Sequence, residues 1–214
     1  MKNIFAQRQG SFITVTVKEE GKSDISFFCR DIRGALVWPT AHSPGYYCIF
    51  AQKDDTNPQG KSPLFLAAEA EAELPKDLFK KMVEDRKKLT CAHFYVDLKK
   101  ENQDFMDLFG DYCRYNRFLG IEFTKAPIIG KFHIGTALIR EWAKDGALEI
   151  SEGSILRNQL KEIGRGDLEL NPEEKYFAVH ALTFIVASIE KDPWQAPSVF
   201  QGQQSPRADP RGWV

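Results

Sequence analysis

From residue 11 to 17 the chain reads SFITVTV, β-branched and alternating. Past the turn residues Glu20-Gly21-Lys22-Ser23 it returns as DISFFC over 24–29. Period-two alternation bounded by turn chemistry predicts a β-hairpin. Residues 30–34 read as a polar connector. Strands are expected at 35–38 and 45–51, broken at Pro39 and by the tight Ser43-Pro44-Gly45 turn. A polar loop, KDDTNPQGKS, leads to a strand that opens at Pro63 and runs into the alternating Glu69-Ala70-Glu71-Ala72-Glu73.

The period then lengthens. Leu78, Phe79, Met82 and Val83 fall at helical spacing among lysines and acids and predict an amphipathic helix over 75–89. Further helices are expected at 102–114, 134–144 and 155–163, with short strands at 91–96, 120–124 and 147–150 between them. The last helix, NPEEKYFAVHALTFIVASIE over 171–190, differs in kind. Asn171, Pro172 and the pair Glu173-Glu174 are helix-start chemistry. After Tyr176 the run is apolar on nearly every face, which predicts a helix buried all round, with a single titratable residue, His180, in its middle. Antiparallel strands followed by strand–helix alternation imply an α/β fold, a mixed sheet covered by helices on both faces. Residues 192–214, with four prolines among Gln, Ser and Arg, form a polar tail in which Trp194, Phe200 and Trp213 are candidate anchors.

Composition narrows the class of protein. The 214 residues carry a net charge of −1, so no whole-molecule attraction to nucleic acid or an anionic membrane is indicated. Cys29, Cys48, Cys91 and Cys113 lie far apart without zinc-like spacing, and reduced thiols in a cytoplasmic protein are expected. No signal peptide and no membrane span are expected.

Asp97 is the leading candidate for chemistry, because it closes a buried strand at the end where α/β sheets present functional groups. Glu69, Glu71 and Glu73 share one face of an extended segment, where a metal site and a solvated face are alternatives. His42 lies in a turn and His93 in a strand. Ser43 beside His42 makes no triad, and no GxSxG, phosphate-loop or HExxH pattern occurs.

Taken in order, AHSPGYYCIFAQ, PLFLAAEAEAEL, PKDLFKKMVEDRKKL, HFYVD, GIEF and IGTALIREWAKDGALEISEGSILRNQLKEI followed by EEKYFAVHALTFIVAS resemble the C-terminal nuclease domain of phage terminase large subunits. That resemblance implies a ribonuclease-H-like domain over 35–191, an N-terminal β-hairpin extension over 1–34 and a Pro-rich tail over 192–214. It also implies a site in which strand and helix acids hold two divalent cations, Mg or Mn, about 4 Å apart for phosphodiester cleavage. By the same resemblance the first-strand acid falls at Ser43, the last-helix acid at His180 and a further acid at Tyr176. Asp97 alone is retained.

Removing two carboxylates from a two-cation site costs more affinity than a hydroxyl or an imidazole returns. A catalytically impaired domain without a cofactor is therefore expected, acting on double-stranded DNA or with packaging proteins, in the host cytoplasm if viral. Two alternatives stand beside it. One is an active endonuclease with a rearranged site, in which Asp97 and His180 hold a metal. The other is an interaction protein without a nucleic-acid role. No room is left for an ATPase motor.

Overall fold

Strand β3 (Ile25–Val37) is the spine of the sheet, and it is longer than its sequence suggests. In the computed structural model, which describes residues 2–99, 102–116, 121–127, 132–163 and 172–191, the segment 30–34 is not a connector. It is strand interior, paired with β4 (Gly45–Lys53) across a register irregularity between Cys29 and Asp31. Its polar residues are satisfied internally: Arg33 donates from Nε to Asp31 Oδ2 at 2.7 Å and from Nη1 to Ser188 Oγ at 3.0 Å. The boundary expected between residues 34 and 35 thus falls inside one continuous strand. Strand β1 (Lys2–Gln9), which the sequence pattern did not announce, pairs antiparallel with β2 (Phe12–Glu19), and β2 pairs with the first half of β3.

On one flank of β3 lie β4 and β5 (Leu64–Ala72), forming an antiparallel meander. On the other flank, beyond the hairpin, the second half of β3 pairs in parallel with β6 (His93–Val96), and β6 pairs in parallel with β7 (Glu122–Lys125). Strand β8 (Leu148–Glu149) adds in parallel to β5. An antiparallel meander continued by parallel strands, with helices on both faces, is the mixed α/β sheet expected from the sequence.

Side-chain alternation divides the core in two. Leu36, Tyr47, Ile49, Phe94 and Val96 point to one face, where α1 (Pro75–Leu89) buries Leu78, Phe79 and Met82 and α2 (Gln103–Tyr115) buries Phe109. Ala35, Tyr46, Cys48 and Phe50 point to the other face, covered by α6 (Phe177–Lys191), with α3 (Phe132–Lys144) and α4 (Ile155–Glu162) packed against it. Strand β4 is buried over eight consecutive residues because both faces are covered. The four cysteines are free, and burial pushes the Cys29 thiol up to about 12, so it stays protonated at neutral pH.

The last apolar run is two helices, not one. The short α5 (Pro172–Lys175) ends at Tyr176, and α6 starts afresh at Phe177. Gln159 of α4 supplies the cap, its Oε1 accepting the N–H of Ala178 at 2.9 Å and of Val179 at 3.4 Å. The cap expected at Asn171 and the tail of residues 192–214 lie outside the described residues. No helix among the described residues is long and apolar enough to cross a membrane.

Candidate functional site

β3 and β6 run parallel, so their C-terminal ends meet at one edge of the sheet. Asp97 follows β6 directly. Its backbone is fixed by two donors to its carbonyl oxygen, Trp38 Nε1 at 3.2 Å and Asn102 Nδ2 at 3.0 Å. Its carboxylate is occupied by the next loop residue but one: Oδ2 pairs with Lys99 Nζ at 3.0 Å and Oδ1 accepts the Lys99 N–H at 3.1 Å. Continuing the register Leu36↔Val96, the residue beside Asp97 on β3 is Val37. β3 has one acid, Asp31, and it is tied to Arg33.

Ser43 lies in the β3–β4 turn, buried and bound to Thr40. The two hydroxyl oxygens are 3.0 Å apart, the Ser43 N–H donates to Thr40 Oγ1 at 3.1 Å, and the Thr40 N–H donates to the Ser43 carbonyl at 2.9 Å. This network closes the turn and explains a serine there without chemistry. His180 sits one turn into α6, its ring edge-on to Phe184 and Phe132 at centroid distances of 4.7 and 5.8 Å. Burial lowers its pKa to about 4; the Asp97 carboxylate acts in the opposite, raising direction, and Lys99 adds a further lowering. At neutral pH the imidazole is uncharged. Tyr176, the fourth position singled out, is buried at the α5–α6 break.

Ser43, Asp97 and His180 line one cleft of about 250 Å³ at this edge. Tyr176, His42, His93 and the glutamates of β5 do not line it. The sequence reading missed three other residues that do: Lys99, Glu173 and Glu174. The two glutamates read as ordinary helix-start acids, and the short α5 carries them to the cleft. Among the described residues no group of three His, Cys, Asp or Glu side chains is placed to hold a metal ion. With Asp97 already paired to a cation, the donor set does not fit two dications.

Glu69 has a different task. Its Oε2 accepts Tyr46 Oη at 2.7 Å, and its oxygens accept the first two N–H groups of α4, Ile155 at 2.7 Å and Leu156 at 3.1 Å. Half-buried, it caps the helix from a strand 86 residues away, while Glu71 and Glu73 are exposed. Glu69→Gln removes one acceptor oxygen and the charge that complements the helix terminus. The expected cost is about 1–2 kcal/mol, read as a lowered urea midpoint. A variant as stable as wild type would refute the capping role.

No family model matches the chain, and no curated protein matches it. Among solved structures, the fowlpox virus resolvase crystallised with Holliday junction DNA aligns at 12% identity and a TM-score of 0.37, over 74% of this chain and 97% of that one.

Proposed function

We propose that this chain is a ribonuclease-H-like module of the terminase-nuclease type, impaired in two-metal cleavage and working in DNA binding or packaging assembly. The observation that carries the reading is the state of Asp97: Val37 stands beside it on β3, and Lys99 neutralises it. Cleavage by two cations needs free carboxylates at this edge. Next to it, a second cleft carries more ammonium groups than carboxylates. Lys99 and Lys125, at the ends of neighbouring strands, line it against Asp97. Lysine ammonium groups serve as point charges for phosphate, and their contribution falls with salt.

Fluorescence anisotropy with labelled duplex DNA, over a salt series and with Mg²⁺ or Mn²⁺, tests the proposal. Binding without strand cleavage is expected. Lys99→Glu with Lys125→Glu should weaken binding by about tenfold and flatten the salt dependence. Metal-dependent cleavage abolished by Asp97→Ala would overturn it.

A second reading is favoured by one finding, the presence of Glu173 and Glu174 in the cleft with Asp97. As they stand these side chains do not converge on one point, so this reading requires both that Lys99 leave Asp97 and that α5 close on the cleft to bring the carboxylates around a single Mg²⁺ or Mn²⁺. Slow Mn²⁺-dependent nicking, lost in Glu173→Gln or Glu174→Gln, would select this reading.

A further inference from the structure

The chain as a whole is close to neutral, with a net charge of −1, but α1 is not: PKDLFKKMVEDRKKL carries six cationic and three acidic side chains. Lys76, Lys80 and Lys87 border a groove of about 980 Å³ between α1 and α2. Their spacing aligns them along one side of the helix over roughly 16 Å. Asp77 and Glu84 also line the groove, leaving the α1 wall with one excess positive charge. The α2 wall is uncharged, with Leu108, Tyr112 and Tyr115 at helical spacing.

Apolar exposure gathers in the same place. Leu74 is 63% exposed, Leu108 51% and Tyr115 88%, three of the seven large apolar side chains left exposed among the described residues. All three line this groove, over a floor that includes the buried Phe79 and Val83. Exposed apolar side chains gathered in one groove make it a candidate interaction site.

We infer that the α1–α2 groove is a docking site for an acidic amphipathic helix of a partner protein. A helix about 10–12 Å across laid between two others buries its apolar stripe on Leu74, Leu108 and the tyrosines. Its flanking carboxylates then meet Lys76 and Lys80, which form no ion pair among the described residues. A nucleic-acid strand suits the groove less well. Tyr112 and Tyr115 could stack bases, but Leu74, Val83 and Leu108 offer no stacking plane, and Asp77 and Glu84 on the α1 wall repel phosphate. The groove shares no lining residue with the cleft at Asp97, so the inference stands or falls independently of the DNA-binding reading.

The test uses the full chain and two fluorescein-labelled helical peptides with the same leucine stripe, one flanked by glutamates and one by lysines. The glutamate peptide is expected to bind at least about tenfold more tightly at low salt. Lys76→Glu with Lys80→Glu should reverse that preference. Leu108→Glu, on an exposed position that leaves the thermal melt unchanged, should weaken both peptides. Equal binding of the two peptides would overturn the inference. So would tighter binding of a labelled oligothymidine, or self-association in sedimentation that blocks the peptide.

Discussion

Gly34→Val is expected to leave the chain unable to assemble its sheet, and Gly34→Ala to fold with stability reduced by about 3 kcal/mol, the upper end of the usual cost of overpacking. Gly34 stands where β3 is paired on both sides, with Ile49 of β4 and Phe94 of β6. A Cβ built on it lies 2.4 Å from both Cδ1 and Cε1 of Phe94 and 2.8 Å from Cγ. The ring cannot retreat. Phe94 is fully buried in the α1–α2 core, edge-on to Tyr47 at 6.5 Å, and interiors are packed too densely to take up an ångström of displacement. The glycine is therefore what lets β6 lie flat against β3, and with it what brings Asp97 to the edge of the sheet. Urea denaturation gives the measurement. Phe94→Leu introduced with Gly34→Ala should recover more than about 1 kcal/mol of the loss, a coupling expected only of side chains in direct contact. Gly34→Ala within about 0.5 kcal/mol of wild type would refute the close approach.

The same position shows what could be read from the chain and what could not. Periodicity located α1, α2, α3, α4 and most strands to within a few residues, because each buries one face and a buried face leaves a pattern. It failed at residues 30–34, where Asp31 and Arg33 look like loop composition and are in fact strand residues satisfied by each other and by Ser188 of α6. That partner is 155 residues away, and no local pattern announces it. β1 was missed for a related reason: an edge strand exposed along much of its length carries little alternation. At the edge of the sheet, Asp97 was legible from its place after an apolar strand. Lys99 was not, since a lysine two residues past a strand is unremarkable until it is seen on the carboxylate. Glu69 looked like a solvated acid because a helix it caps lies far along the chain.

Acidification from pH 6.5 to 4 should cost the native state about 3 kcal/mol through His180 alone. The imidazole titrates near 6.5 in the unfolded chain and is depressed to about 4 in the folded one, chiefly by burial. Each unit of difference corresponds to about 1.36 kcal/mol. Above pH 6.5 neither state binds the proton, and His180 contributes nothing to the pH dependence. Below it the unfolded chain takes up a proton that the native state refuses, so stability falls with acid until the native ring titrates as well. His42, His93 and His133 are exposed and carboxylates titrate toward the bottom of this range, so the contribution must be isolated by difference. His180→Gln removes the titration while keeping a polar side chain, and His180→Leu removes it with an apolar one. Wild-type stability minus that of either variant should decline by about 3 kcal/mol from pH 6.5 to 4 and be flat from 7 to 9. A parallel pair of curves would mean that the ring reaches water and is not desolvated by Phe132 and Phe184. The consequence for function is direct. A histidine that is neutral at pH 7 adds no positive charge to meet a phosphate, so the DNA binding proposed for this edge should be unchanged in His180→Gln between pH 6.5 and 8 while falling when Lys99 and Lys125 are reversed.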